Sequence, residues 1–304
     1  GGVTFFTLLS LFPALAAFVS LYGLFADVTT AVKHFQQLSL VLPDTAVSFV
    51  GGELMRLAAR PPGGLGLTFV GSLLFSIWSA NGSVRTLVYG LNVAYHETEK
   101  RNLLTYTLLT LAFTVGGLIF VMVLTSLIVA APIAMAFLGL SEVWARLEWI
   151  RWPALLGAYW LMLSVLYRYG PCRSRARWRW LTPGGLFATV GSVAASALFS
   201  FWLSRIANFD ATYGSLGAVM GFMLWTWISV IVILIGAELN AEVEHQTAVD
   251  STTGAPAPMG DRGAIVADTL GPKRGDPAIA RFTLDHAMEL SRRVIRRKPP
   301  RKGP

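Results

Sequence analysis

Leu103-Leu-Thr-Tyr-Thr-Leu-Leu-Thr-Leu-Ala-Phe-Thr-Val-Gly-Gly-Leu-Ile-Phe-Val-Met-Val-Leu-Thr-Ser-Leu-Ile-Val-Ala-Ala131 runs for 29 residues without a charged side chain. About 20 apolar residues, each rising about 1.5 Å, span a bilayer core of roughly 30 Å. This stretch is therefore predicted to be a membrane-spanning helix. Apolar sequence continues to Leu140, and Asn102–Leu140 as one helix would measure roughly 58 Å. Pro132 is expected to end or kink it, leaving a stub outside the membrane.

Five further stretches meet the same requirement: Val3–Phe25, Leu65–Tyr89, Trp152–Tyr169, Leu186–Ile206 and Leu216–Leu239. The fold class they predict is all-α, a polytopic membrane helical bundle with about six transmembrane helices over residues 1–246. Residues 247–304, Pro- and Gly-rich and then basic, are expected to form a cytoplasmic and largely disordered tail. Composition agrees with a lipid solvent. Of 304 residues, 54% are hydrophobic and 14% charged, against about 25% charged in soluble domains. The chain enters its first apolar run at Val3 directly from Gly1-Gly2, so an N-terminal segment is expected to be missing. Val3–Phe25 is too long for the core of a signal peptide.

Charge sets the expected orientation. The side carrying the second, fourth and C-terminal connections holds 18 Lys and Arg and the opposite side holds 6. That bias predicts a multi-pass protein of the bacterial inner membrane with both termini in the cytoplasm. Trp144, Trp149 and Trp152 fall at the predicted outer interface, and Trp178 and Trp180 at the inner one, the depths that amphipathic rings favour. In the long first outer loop, Pro43-Asp44 reads as a helix start, and Val47, Val50, Leu54 and Leu57 follow at helical spacing. A short amphipathic helix is expected there.

The chain excludes several chemistries at this level. Cys172 is the sole cysteine, so no intramolecular disulfide can form. His34, His96, His245 and His286 lie in no metal-ligand spacing with another His, Cys or carboxylate cluster. No metal site, cofactor or catalytic residue is expected, and no ATP-binding loop of the Gly-rich, Lys-Ser/Thr type is present. The expected partners are membrane lipids, with anionic lipid at the basic run from Arg292 to Lys302. An unknown substrate, envelope proteins and a second copy of the chain complete that set. Nucleic acid is not expected, because no aromatic residue interleaves with the basic run.

Three patterns carry the functional expectations. Ser79-Ala-Asn-Gly-Ser83 interrupts an apolar stretch with turn-forming residues. It predicts a broken helix of the kind that lines cavities in transporters. From it Asn81, Arg85, Tyr89, Asn92 and His96 follow at spacings of 4, 4, 3 and 4, as a polar stripe toward the cytoplasm. Glu238 and Asn240 lie near the inner end of the last helix. Arg85 and Glu238 should lie at similar depth, so a cross-bundle ion pair is expected. Finally, Gly184, Ala188, Ser192, Ser196, Ser200 and Ser204 recur every fourth residue. They read as a close-packing ridge, or as a polar path, and Gly217 with Gly221 forms a second close-approach pair.

Ser10-Leu-Phe-Pro13, Leu91-Asn-Val-Ala-Tyr95, Tyr167-Arg-Tyr-Gly-Pro171, Tyr213-Gly-Ser-Leu-Gly217 and Leu234-Ile-Gly-Ala-Glu-Leu-Asn240 occur in that order. In them the chain resembles the YihY/virulence factor BrkB family of bacterial membrane proteins, over roughly Val3 to Glu244. The resemblance implies a six-helix inner-membrane protein of poorly defined activity. Family members have been linked to serum resistance and envelope lipid transport, and some carry an older ribonuclease BN label. By resemblance, Asn92, Tyr95, Pro171, Tyr213, Gly214, Glu238 and Asn240 are the positions expected to matter. The expected function is transport of a lipid or amphipathic solute, with a non-transporting envelope scaffold as the alternative. Ribonuclease activity is disfavoured, since it would need clustered metal ligands.

Overall fold

The computed structural model describes residues 1–22, 44–58, 65–137, 139, 148–205 and 216–271. Among the described residues seven helices build the bundle: α1 Gly2–Tyr22, α2 Asp44–Ala58, α3 Leu65–Ala94, α4 Leu103–Phe137, α5 Arg151–Tyr169, α6 Thr182–Arg205 and α7 Gly217–His245. A single turn, α8 Ile265–Asp268, follows. Among the described residues there is no strand, only one isolated bridge between Ala176 and Thr252. Among the described residues three helical stretches, Leu103–Leu124, Thr182–Arg205 and Gly217–His245, are long and apolar enough to cross a bilayer by length and composition. Their outward surfaces are apolar and exposed, as at Met122, Val190 and Trp227. The chain is an all-α membrane helical bundle.

Ser79–Ser83 does not break its helix; α3 is continuous through it. In hydrocarbon every backbone amide needs a partner, which keeps the helix intact. The small and hydroxylated residues serve instead to fasten α1. Ser83 Oγ donates to the Val3 carbonyl at 3.2 Å and exchanges a hydrogen bond with Thr7 Oγ1 at 3.0 Å. Ser79 Oγ reaches the Phe6 carbonyl at 3.4 Å and Ser76 Oγ the Ser10 carbonyl at 3.2 Å. A Cβ on Gly82 would sit 2.6 Å from the Phe6 ring. The pattern that reads as a turn is therefore an interhelical seam, where small residues and hydroxyls are favoured in lipid.

Pro132 likewise lies inside α4, which runs on to Phe137 without a stop. α2 lies between α1 and α3 and packs on the bundle through Phe49, whose ring lies 5.9 Å from Phe12 and 5.5 Å from Phe222.

The boundary expected at Gln246 moves. Residues 246–271 form a packed cap over one end of the bundle. Arg177 N–H donates to the Ser251 carbonyl at 2.8 Å, Thr253 N–H to Arg175 at 2.9 Å and Ser174 N–H to Gly263 at 2.9 Å. Ile265 N–H donates to Glu97 Oε1 at 2.8 Å. The α3–α4 connection, the α5–α6 connection and the C-terminal segment thus meet at the same end. Inside the cap, Arg262 is buried and reaches the carbonyls of Ala257, Ala267 and Ala248 at 3.2, 2.8 and 2.9 Å. Proline- and glycine-rich composition here reflects turns held by side chains. The basic run from Arg292 to Lys302 lies outside the described residues.

Candidate functional site

Two polar regions are built on this frame. The first is the seam between α3 and α4. Thr107, Thr110 and Thr114 recur at helical spacing on α4, so they share one face. Thr114 Oγ1 lies 3.4 Å from Asn81 Oδ1, and both residues are buried. Toward the capped end, Arg85 donates from Nη2 to Thr107 Oγ1 at 3.1 Å, and Tyr106 Oη donates to the Arg85 carbonyl at 3.1 Å. Arg85 is exposed on the bundle's side, whereas Asn81 and Thr114 close the seam deeper along the helices. The outcome is a line of hydroxyl, carboxamide and guanidinium groups between two apolar helices.

The second region is a hub under the cap. α3 ends in a reverse turn whose hydrogen bonds are those of a Schellman motif. Glu97 N–H donates to Asn92 O at 2.8 Å and His96 N–H to Val93 O at 3.0 Å. The left-handed position, φ 57°, is occupied by His96 rather than glycine. That turn directs Tyr95 and Glu97 inward and His96 outward. Asn92 Oδ1 accepts the Cys172 N–H at 2.7 Å, and its Nδ2 donates to Glu99 at 3.0 Å. Pro171 is fully enclosed, and its carbonyl and that of Gly170 both accept from Arg101 Nη2.

Asn240, also fully buried, accepts the Gly184 N–H at 2.7 Å. That amide belongs to the first turn of α6, where no intrahelical acceptor exists, so a side chain of α7 caps α6. The two helices touch backbone to backbone here. A Cβ on Gly184 would collide with the Gly236 carbonyl, and one on Gly236 would lie 2.7 Å from the Gly184 carbonyl and from Tyr167 Oη. Tyr167 Oη donates to the Ile233 carbonyl at 2.7 Å. Glu244, at the negative end of the α7 dipole, is matched by Arg173. Arg173 Nη1 lies 2.7 Å from Oε2, and Nη2 pairs with Oε1. Ser251 adds a donor to Oε1, and the Arg173 guanidinium stacks over Tyr95, 5.1 Å from its centroid.

The predicted polar stripe does not hold together as one face. Each four-residue step advances about 400° around a helix of 3.6 residues per turn, a drift of about 40°. Asn81 and Asn92 consequently point inward, while Arg85 and Tyr89 are exposed. Arg85 and Glu238 are not paired: Arg85 bonds to α4, and Glu238 lies beside His96 and Glu242. Asn240, two residues from Glu238 and so about 200° away, faces the hub.

One grouping was invisible to linear spacing. Ligand atoms of His96, Glu238 and Glu242 all lie within 4.8 Å of one another on the exposed surface. The left-handed turn brings the imidazole to two carboxylates one helical turn apart. This departs from the expectation that no histidine meets a carboxylate cluster. Such a set suits a cation and equally a solvated charge cluster.

Of the ridge residues, Gly184 and Ala188 lie against α7. Ser192 exchanges a hydrogen bond with Tyr159 Oη at 3.2 Å, and Ser196 accepts from Trp225 Nε1 at 3.0 Å. Ser200 is half-buried, and Gly217 and Gly221 are buried at the start of α7. Tyr213 and Gly214 lie outside the described residues.

Sequence reasoning missed Arg173, Glu244, Glu97, Asp250, Arg262 and the three threonines of α4. The threonine spacing of three and four was a legible signal. The charged residues carried none, because their partners lie 71 and 168 residues away for Glu244 and Glu97. In the cap, Asp250 accepts from the Ala257 N–H and from Thr252, which holds its carboxyl down at about 2 against the effect of burial. Burial pushes Asp268 upward, but backbone N–H donors from Arg262, Gly260, Ala264 and Gly263 outweigh it and leave it below the usual carboxylate range.

Comparison with known proteins places these features in a family. The chain is 32% identical over 251 residues to a ribonuclease-like protein, YfkH, of Bacillus subtilis, covering 79% of this chain and 86% of that protein. It is 28% identical over 246 residues to a UPF0761 membrane protein of Aromatoleum aromaticum, and 26% identical over 253 residues to one of Nitrosospira multiformis. These cover 79% and 80% of this chain, which spans only 58% and 56% of the UPF0761 proteins' length. No solved structure matches. The profile of one family matches residues 1–260, which takes in α1 to α7 and most of the cap: the chain belongs to the Virulence factor BrkB family of membrane proteins.

Proposed function

We propose that this protein crosses the bacterial inner membrane six times, keeps both termini in the cytoplasm, and moves a lipid or other amphipathic solute along the α3–α4 seam. The observation that carries the reading is the seam itself. A guanidinium, three threonine hydroxyls and a carboxamide line the junction of two otherwise apolar helices. A polar headgroup entering hydrocarbon loses several kcal/mol of hydration (about 2–7 per unpaired group). A row of donors and acceptors offsets that loss while the acyl chains stay in lipid. The exposed Arg85 supplies the entrance, and passage beyond it requires α3 and α4 to part at Asn81 and Thr114. The orientation is supported by the charge bias and by the meeting of the basic α5–α6 connection with the C-terminal segment.

A non-transporting scaffold is the second reading, and the hub favours it. Tyr95, Tyr167, Asn240 and Glu244 are all buried, and a fastened end of that kind suits a platform for a partner. Reconstitution of the full chain into liposomes separates the two. A transporter gives lipid scrambling or solute flux that falls several-fold in Arg85→Ala and Thr107→Val. Absence of flux across a broad panel of lipids and solutes favours the scaffold.

A further inference from the structure

A groove of about 520 Å³ runs between α5 and α6 on the outer surface of the bundle. Its walls are Leu156, Gly157 and Trp160 on one side and Leu186, Val190 and Val193 on the other. Among the described residues Thr189 is the only hydroxyl that lines it, and it donates within its own helix to the Gly185 carbonyl at 2.8 Å. The volume falls within the range of about 300–1,000 Å³ that holds small ligands. A dry groove open to the side of a membrane protein suits an acyl chain.

A polar stretch of α5 lies beyond the groove. Gly157, Trp160, Ser164 and Arg168 recur at spacings of 3, 4 and 4 along α5, so Arg168 lies beyond Ser164 toward the α5–α6 connection. Its guanidinium stacks over Trp178 at 4.6 Å and Tyr169 at 5.5 Å, and Arg175 stacks on the same Tyr169 at 5.3 Å. Arg168 Nε and Nη1 are enclosed and have no acceptor. Among the described residues no carboxylate pairs with Arg168 or Arg175. Arginine charge at membrane depth is costly and ordinarily paired. The planar guanidinium matches a phosphate bidentately, the strongest of its ordinary partners. Between the two ends, Trp160 Nε1 and Ser164 Oγ are likewise enclosed without a partner.

We propose that the α5–α6 groove holds one anionic glycerophospholipid, with its phosphate on Arg168 and an acyl chain against Gly157, Val190 and Val193. Along α5 the order of chemistry is the order of a lipid: a partner for phosphate at Arg168, then a surface for hydrocarbon. A free phosphate would answer only the first part. This site lies on different helices from the α3–α4 seam and stands whether or not the protein transports.

Native mass spectrometry of the full chain in detergent tests it, with phosphatidylglycerol, phosphatidylcholine and inorganic phosphate as probes. The wild type should retain one phosphatidylglycerol per chain in preference to phosphatidylcholine, and inorganic phosphate should not displace it. A Cβ on Gly157 meets nothing within 4 Å, so Gly157→Leu fills the groove without disturbing the bundle. It should lower lipid occupancy by about tenfold, equivalent to about 1.4 kcal/mol, at an unchanged melting temperature. Arg168→Gln should abolish the preference for the anionic lipid. Undiminished binding in Gly157→Leu overturns the proposal even if Arg168→Gln fails to fold. Displacement by inorganic phosphate, or equal retention of both lipids by the wild type, also overturns it.

Discussion

Arg173 and Glu244 form a fork-to-fork ion pair whose side chains are 2% and 1% exposed. It ties the α5–α6 connection to the last turn of α7, and Ser251 bonds to the same carboxylate. Removing one member of such a pair leaves an unmatched buried charge, at a cost of about 3–5 kcal/mol. Arg173→Ala and Glu244→Ala should each lower the melting temperature in detergent and speed proteolysis within residues 247–271. The paired replacement Arg173→Met with Glu244→Leu should cost less than either single change. Thermal unfolding followed by limited proteolysis measures both effects.

Acid should loosen the cap. Asp250 and Asp268 titrate lower in the fold than in the unfolded chain. A depressed carboxyl contributes stability that is present above its unfolded pKa and lost as pH falls through its folded value. The cap should therefore hold at neutral pH and weaken from about 4 toward about 2, where Asp250 protonates. Asp250→Asn and Asp268→Asn should flatten that dependence. Hydrogen exchange of the amides of Thr252, Ala257 and Gly263 as a function of pH gives the measurement.

Close approach of α6 and α7 sets a test of the two glycines. Gly184→Ala and Gly236→Ala should each destabilise by about 1–3 kcal/mol, because the added carbon meets backbone that cannot give way. Gly116→Ala, where a Cβ meets nothing within 4 Å, should be neutral or gain up to about 1 kcal/mol from helix propensity. Denaturation of the three variants in one detergent compares them directly.

Arg85 and Glu238 supply the opposite case. They share no contact, so a double-mutant cycle with Arg85→Ala and Glu238→Ala should give a coupling energy within about 0.5 kcal/mol of zero. A charge-reversed pair should rescue nothing. A coupling above about 1 kcal/mol would show that the two helices rearrange to bring them together.

His96 occupies the left-handed position that ends α3, where a side chain is strained by about 1–2 kcal/mol. His96→Gly should stabilise by up to about 1 kcal/mol, the loss of chain entropy in glycine offsetting part of the relief. The thermal midpoint reads the change. A loss of stability would mean that the imidazole makes a contact with Glu238 or Glu242 worth more than the strain.

Leu103–Ala131 and Leu216–Leu239 announced membrane residence and helical structure without any knowledge of their neighbours. The rise per residue and the preference for hydrocarbon are local properties, summed along one segment. Five short motifs in order identified the family for the same reason. The Ser79–Ser83 pattern misled because Asn-Gly signals a turn in water, whereas in lipid the helix is retained and Gly82 and the serines serve the contact with α1. Asn81, Arg85 and Tyr89 were read as one stripe although the helical period carries them about 40° apart at each step. Which polar side chain is buried, and with what, depended on partners up to 168 residues distant. Hydrogen bonds and ion pairs act over a few ångströms in space whatever their separation in sequence. The sequence alone therefore determined the solvent, the helices and the family. Only the tertiary structure decided that Arg173 meets Glu244, that Asn240 caps α6, that the segment after Gln246 is a built cap, and that Arg168 has no carboxylate partner among the described residues.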